Sequence, residues 1–463
     1  MSGFAPDIAL SALFQRNATS RPDECALIDA GVRYTYAEAA NAVAHLAGQI
    51  AALGLAPRSS VALLLPNGSE LVLSLLAVMQ CGHIPVPMPV AWRKSDLVRA
   101  CREAEAAALI TTANFSGERL PELAAEAAIE VFELSFPCAF GSDLPDGILP
   151  LVLSGEAGGA TIVTPSPGIA TLQASPGGVS FVLHQDEQLL AAGLGAMLAA
   201  DMRNGDTIVS AVAPSNLAGL GAAFVPWLLC GGTLSLLSDI PKRMDASNER
   251  CHVIASAQLL ETICAALDVP SASAVGVHFD GTSRADTVAD IPAERIVDVF
   301  ALAEICVIAM PREDRAQPRR IPLGAVQAGN GTAAPIVLET SISEKGRVLV
   351  RGAMIAKDAL GDGGWCDTGY TAVSNGSSDF RVSTPDEIVA IGALRFSFPD
   401  LERRILAAAL VAGVEVMADP VLGDRLVVRS ERPAETERAL LDAGLPRVIA
   451  SSVRKAENVR AAG

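Results

Sequence analysis

The side chains able to do acid–base, nucleophilic or metal chemistry are few in this sequence. Histidine occurs at positions 45, 83, 184, 252 and 278 only. Their separation suggests no Ser/His/Asp set and no metal-ligand spacing, so each reads as structural. Lysine occurs only at 94, 242, 345, 357 and 455. Chemistry that needs a lysine therefore has few candidates, and Lys455, in Ser452-Val453-Arg454-Lys455-Ala456, is the one late in the chain. Nine cysteines are scattered with no CxxC pair. Disulfides and a zinc site are not expected, and the thiols read as small buried apolar groups of a cytoplasmic protein. The stretch Ala174-Ser175-Pro176-Gly177-Gly178 gathers one hydroxyl and two glycines. A short glycine pair is a weak phosphate motif, and a plain loop between strands is the simpler reading.

Strands and helices alternate in the first third. Thr35 and Glu38 sit three apart before an apolar-periodic run. That spacing is a capping box opening a helix to about Leu53, with Gly54 as its stop. Val61 to Leu65 is a continuous apolar run and reads as a buried strand. Val72, Leu75, Leu76 and Met79 then mark one helix face. Pro85, Pro87 and Pro89 restrict Ile84 to Val90 to an edge or polyproline-like segment. A charged helix near Ser95 to Ala106 and a strand at Ala108 to Thr112 follow. This alternation implies a mostly parallel, doubly wound sheet. The Gly- and Pro-rich residues from about Ser154 to Gly178 read as loops. Helical character returns near Asp186 to Ala200 and strand character near Thr207 to Val212, and residues 346–356 look like a strand in a β-rich region. After about Asp386 the texture changes. A helix at Leu401 to Ala409, a strand at Leu426 to Arg429 and a helix at Ala434 to Ala443 suggest a small C-terminal unit. The expected fold is α/β: a large N-terminal region of doubly wound sheets plus a β-rich subdomain, residues 1–385, then a small α+β domain, 386–463.

The 463 residues suffice for two or three domains with a large core. With 35 basic against 52 acidic residues, the net charge of -17 argues against nucleic acid or an anionic membrane as partner. Residues 217–237 carry no charge and are long enough to span a bilayer. Pro226 and four glycines interrupt them, so a buried helix, turn and strand is expected instead. The N-terminus has no basic stretch followed by an apolar core, so no signal peptide is expected.

Taken in order, several segments resemble the adenylate-forming superfamily of acyl-CoA synthetases, luciferases and adenylation domains. The stretch VALLLPNGSELVLSLLAVMQCGHIPVPMPV (61–90) is similar to its N-terminal signature, and residues 33–55 to its first helix. PSNLAGLGAAFVPWLLCGGTL resembles its acyl-pocket segment. FALAE (300–304) stands at its aromatic-Gly-x-Thr-Glu element, and GWCDTGY (364–370) at its Trp-x-x-Thr-Gly-Asp element. DEIVAIGALRFSFPDLE (386–402) resembles the hinge and first strand–helix of a mobile C-terminal domain. The resemblance runs from about residue 10 to about 450.

It implies a reaction joining a carboxylate to AMP with ATP and Mg²⁺, with release of pyrophosphate and then transfer to a thiol of CoA or a carrier protein. Residue by residue, it places Asp280, Gly281, Thr282, Phe300, Thr368 and Tyr370 at nucleotide-contacting positions. Asn216 and Gly219 fall in the acyl pocket, Glu304 at the Mg²⁺ carboxylate and Asp386 at the hinge. The departures are as informative. Residues 174–178 are shorter than the family's phosphate loop and lack its lysine. Tyr370 stands where a ribose-binding Asp is expected, and a phenol offers one oxygen in place of two acceptors. Asp280 adds a negative charge beside the nucleotide. Ser383 replaces an Arg, and Lys455 has no preceding Gly. The leading expectation is a degenerate homologue that binds an acyl group, a small acid or a protein partner without efficient adenylation, with no cofactor certain. An active AMP-forming acyl- or aryl-CoA ligase with rearranged contacts is one alternative. A structural subunit or oligomer of a biosynthetic complex is another.

Overall fold

The computed structural model describes residues 8–155, 166–175, 178–238, 250–268, 270–279, 291–327, 335–361, 363–373, 378–419 and 421–456. Two sheets form the N-terminal half. One has the strand order Ile84–Pro87, Ser60–Leu64, Ala106–Thr112, Phe136–Phe140 and Leu149–Leu151, all parallel. The strand holding Pro85 and Pro87 lies at its edge, where a missing N–H on the open side breaks no ladder bond. The other runs Cys306–Pro311, Ala293–Leu302, Ser271–His278, Cys251–Ser256, Thr207–Ser210, Thr233–Leu236, Cys25–Asp29 and Val32–Thr35. Its interior is parallel and each edge strand is antiparallel.

The helices between the sheets come from the patterns read in the sequence. Tyr36–Ala52 opens on a capping box: Thr35 N donates to Glu38 Oε2 at 2.8 Å and Glu38 N to Thr35 Oγ1 at 3.1 Å. In Ser69–Gln80, Val72, Leu75, Leu76 and Met79 are all buried. The uncharged run divides into helical segments at Leu217–Gly219, Leu220–Phe224 and Val225–Cys230, then the strand Thr233–Leu236. Leu220–Phe224 is wound as a π-helix just ahead of Pro226, which has no N–H to give to an α-helical turn. Gly231 ends the segment at φ 60°. Among the described residues, no helix is long and apolar enough to cross a membrane.

A six-stranded antiparallel sheet follows, in the order Ile321–Pro322, Asp379–Ser383, Cys366–Val373, Arg347–Arg351, Ile336–Ile342 and Gly324–Gln327. The last sheet holds Leu394–Ser397, Ile388–Ile391, Gly423–Ser430 and Gly413–Asp419, with Val453–Lys455 beside Gly423–Ser430. Helices Phe398–Ala408 and Pro433–Asp442 pack with it. The fold is thus α/β with parallel sheets and additional β-rich sheets. The outer face of the five-stranded parallel sheet does not stand alone. Leu97, Val98 and Cys101 of helix Lys94–Glu103 share one apolar core with Ile391, Leu401, Ile405 and Leu440.

Two expectations need correction. Residues 169–175 are not loop: Ile169–Ser175 pairs with Gly178–His184 as a hairpin, in register from Ile169↔His184 to Ser175↔Gly178. The glycine and proline density hid the alternating Ile169, Thr171 and Gln173. Nor are the histidines without Ser and Asp partners. His252 Nδ1 lies 2.8 Å from Ser273 Oγ and its Nε2 lies 2.8 Å from Asp206 Oδ2. The adjacent parallel strands bring these residues together, and the ring is sealed from solvent in the sheet. The set is a buried polar network and offers a substrate no approach.

Candidate functional site

A cavity of about 200 Å³ opens at the carboxyl ends of Ser271–His278 and Ala293–Leu302. Ligands of open α/β sheets commonly sit at such strand ends. One wall is Trp92 and the hairpin residues Leu172 to Ser175, and the floor includes Asn216 and Ala218. The antiparallel sheet contributes Arg347, Thr368 and Tyr370. The last sheet and the segment leading into it supply Pro385, Glu387, Ile388, Ala393 and Arg395. Among the described lining residues the charged groups are Glu304, Glu387, Arg347 and Arg395, with no lysine.

Glu304 is set by a tight turn. Leu302 pairs with Cys306 across two antiparallel strands, and Ala303 between them adopts φ 51°. That left-handed value is uncommon for a residue with a Cβ and marks local strain at the site. The Glu304 side chain is 7% exposed, and its Oε2 accepts the Leu217 N–H at 2.6 Å. Burial pushes its carboxyl above the ordinary range, against the nearby Arg395 charge and the Leu217 bond. The Thr171 hydroxyl also acts on Glu304, and its Oγ1 is 2.7 Å from His184 Nε2. His184 is fully enclosed, and burial lowers its pKa to about 4, so the ring is neutral. Asn216 caps the same helical segment as Glu304, its Oδ1 accepting the Gly219 N–H at 2.9 Å. Tyr370 is 2% exposed and its hydroxyl oxygen accepts the Ala303 N–H at 3.3 Å. Burial raises its pKa also, so the phenol is protonated.

Arg395 enters from the strand Leu394–Ser397. Its Nε and Nη2 donate to the Phe279 carbonyl at 3.2 and 2.8 Å, and Nη2 to the Ala301 carbonyl at 2.6 Å. Behind it, Asp400 takes both Arg99 Nη atoms at 2.8 and 2.6 Å, and Arg404 reaches Asp96 at 2.6 Å. These contacts tie the last sheet to helix Lys94–Glu103.

The fold has known counterparts. Residues 14–138 match the model of the AMP-binding enzyme family. Superposition on the amide bond synthetase McbA from Marinactinospora thermotolerans gives a TM-score of 0.71 over 96% of this chain and 95% of that one, at 18% identity. The o-succinylbenzoate CoA synthetase MenE from Bacillus subtilis gives 0.71 over the same shares, at 15% identity. The fold is that of the adenylate-forming enzymes. In sequence, the chain is 32% identical over 149 residues to enterobactin synthase component F from Escherichia coli (strain K12), which is 32% of this chain and 11% of that protein. It is 30% identical over 105 residues to the medium-chain fatty-acid–CoA ligase of the same strain, 22% of this chain and 19% of that one. The matches thus span only a small part of these relatives.

Within the adenylate-forming fold, the structure brings Asn216, Glu304, Thr368 and Tyr370 to one cavity. It does not bring Phe300 or Gly219 there. On the strand Ala293–Leu302, side chains alternate, and Ala301 takes the cavity side. The Phe300 ring instead stacks on His278, with centroids 4.8 Å apart. Gly219 packs on backbone: a Cβ there would lie 2.0 Å from the Ala213 carbonyl oxygen. Its glycine identity fits this close packing. Asp280, Gly281 and Thr282 lie outside the described residues. Asp386 is exposed, between the strands Asp379–Ser383 and Ile388–Ile391 of two different sheets. Lys455 is exposed at the end of Val453–Lys455 and does not line the cavity. Sequence reasoning missed Arg395, Trp92, Arg347 and the Thr171–His184 pair. Nothing local distinguishes Arg395 from any other strand arginine; its partners are backbone carbonyls, which leave no trace in residue types.

Proposed function

We propose that this chain is a degenerate member of the adenylate-forming ligases that binds a small acid or acyl group in this cavity without efficient ATP-dependent adenylation. The observation carrying this reading is Arg395, whose guanidinium occupies the Phe279 and Ala301 carbonyls at the strand ends. The residues around the cavity do not fit a nucleoside triphosphate with magnesium. Ser175 and Gly178 pair in register with two residues between them, too few for a cradle of backbone N–H groups around three phosphates. Among the described residues, no three His, Cys, Asp or Glu side chains converge on a metal site. Tyr370 supplies one protonated oxygen already facing the Ala303 N–H. Such groups stabilise charge together in phosphoryl and acyl chemistry, and their joint loss should leave little rate.

What this chain's residues can do is bind and orient. Trp92, Leu172, Ala218 and Phe279 offer apolar contact, and Asn216, Ser215, Thr368 and Arg347 border it with polar groups. An anion placed directly against the Glu304 carboxylate would be repelled by it. A small acid therefore lies with its carboxylate toward Arg347 and its apolar part toward Trp92. The division at residues 385/386, with Asp386 between the units, belongs to the same proposal. It is supported by the change of sheet at that point. Calorimetric titration tests the reading. Small aliphatic and aryl carboxylic acids should bind more tightly than ATP·Mg²⁺, AMP or CoA. Micromolar binding of ATP·Mg²⁺ would contradict it.

The second reading, an active AMP-forming acid–thiol ligase, draws on Glu304 reaching the cavity and on Thr368 keeping its place there. It requires the Arg395 contacts to be exchanged for nucleotide contacts.

A further inference from the structure

We propose that the strand Gly413–Asp419 is an interface strand, pairing antiparallel with the same strand of a second copy of this chain about a two-fold axis at Val416. It is the outer strand of the last sheet. One side pairs with Gly423–Ser430, and among the described residues no strand pairs with the other. The open side presents a row of backbone N–H and C=O groups, a template for a further strand. Such edges are commonly blocked by lysine, proline or a bulge. Gly413–Asp419 contains neither lysine nor proline, and its register against Gly423–Ser430 runs unbroken from Gly413↔Arg429 to Asp419↔Gly423. Val416 and Met417 are exposed on it, one on each face. Leu410, before the strand, is 97% exposed, and Val421, after it, is exposed too.

The strand's own sequence favours a second copy as the occupant. Directly opposite residues of an antiparallel pair share one face of the sheet, so a two-fold axis between identical strands passes beside a residue and not between two. Centred on Glu415, the pairing would set that acid against itself. Centred on Met417, it would set Glu415 against Asp419. Like charges directly opposite are destabilising. Centred on Val416, it uses all seven residues, and no acid faces an acid. Val416 then meets Val416, Val414 meets Ala418, Met417 meets Glu415 and Gly413 meets Asp419. Axes farther out pair fewer residues. The same register carries Leu410 of each copy toward Val421 of the other, so the two exposed groups cover each other. The net charge of -17 does not concentrate at this edge. Glu415 pairs with Arg429 at 3.1 Å and Asp419 with Arg425 at 4.0 Å, both arginines lying on the neighbouring strand. The last sheets of the two copies form one continuous sheet across the axis. None of residues 413–419 lines the cavity, so the interface is independent of what the cavity holds.

A short strand contact buries less than a standard protein interface, so the dimer is expected to be weak, with a micromolar dissociation constant. Sedimentation equilibrium of the unmodified chain across the micromolar range should show a mass rising from one chain toward two. Val416→Lys sets two ammonium groups opposite each other on the axis and should weaken association about fivefold or more. Val416 is exposed, so the variant keeps its fold, and circular dichroism checks that it does. Cross-linking reads the register. Val416→Cys places two thiols on the axis, where opposite Cα atoms lie ~4.5–5.5 Å apart and a disulfide fits. Oxidation with diamide should convert it to a covalent dimer. Ala418→Cys faces Val414 and should link no more than the unmodified chain, which accounts for the nine native cysteines. The mass of one chain throughout the range would overturn the proposal and leave the edge to a different partner. Equal association by Val416→Lys would overturn it too, as would Ala418→Cys linking as readily as Val416→Cys.

Discussion

Replacing Asp400 with Asn should weaken the junction between the last sheet and the rest of the molecule. Asp400 is 3% exposed and accepts from Arg99 Nη1 and Nη2 at 2.8 and 2.6 Å, with Arg403 on Oδ1 and Arg404 3.7 Å from Oδ2. Removing one partner of a buried ion pair commonly costs about 3–5 kcal/mol, because the other charge is left unpaired. Arg99 is 31% exposed, so water takes up part of its charge. Asn keeps one acceptor but turns its amide donor on the guanidinium. The expected loss is about 2–3 kcal/mol, a large part of the stability of an ordinary domain. The pH dependence fixes the cause. Burial alone would raise the Asp400 carboxyl, but the hydrogen bonds and charge of Arg99, with Arg404, more than offset it and hold it below its ordinary 3.8. A depressed carboxyl contributes stability above its unfolded pKa and loses it as pH falls through the native value. The Asp400→Asn penalty should therefore be full at pH 7 and shrink below the ordinary 3.8. Urea unfolding, followed by fluorescence and far-ultraviolet circular dichroism, measures it. A change under about 0.5 kcal/mol at pH 7, typical of a surface substitution, would refute the reasoning. So would a penalty that stays constant to low pH.

Asp186→Asn should do the opposite. Burial raises the Asp186 carboxyl to about 6 from 3.8, despite the 3.0 Å bond from the Leu10 N–H. The cost of its charge accrues as pH rises between those values, so Asn should stabilise by about 1–3 kcal/mol at pH 7 and by nothing at pH 3; equal urea midpoints at pH 7 would contradict this. Gly219→Ala should cost about 3 kcal/mol or prevent folding, since the new Cβ meets the Ala213 carbonyl at 2.0 Å with only backbone to yield; a midpoint like that of the unmodified chain would count against that packing. Tyr370→Phe leaves the Ala303 N–H without its partner and should cost about 1 kcal/mol, the low end for an unpaired buried donor. Thermal unfolding reads that loss, and an unshifted midpoint would argue that the hydroxyl contributes nothing.

The legible parts of the fold were those written in local patterns. Thr35 and Glu38 named a helix start because their side chains satisfy each other's backbone. The prolines at 85 and 87 named an edge because they have no N–H to give to a ladder. The hairpin Ile169–His184 was harder, because Pro176, Gly177 and Gly178 resemble the loops around them. The site divides the same way. Glu304, Thr368, Tyr370 and Asn216, named from motif order, line one cavity. Phe300 lies off the cavity lining, because position in a motif does not say which face of a strand a side chain takes. His278 now stacks on that ring. Arg395 was invisible since carbonyls of distant residues, Phe279 and Ala301, are what hold it. The Ser273–His252–Asp206 contact shows the converse: three chemistry-bearing residues meet across parallel strands through register alone, inside the sheet.

We propose that this fold keeps a small-ligand cavity without efficient adenylation. Pyrophosphate release with ATP, Mg²⁺ and a panel of aliphatic and aryl carboxylic acids tests it most directly, run beside Glu304→Ala. No release above the enzyme-free background is expected for any acid, and the same for the variant. Sustained release that depends on one acid and disappears in Glu304→Ala would contradict it.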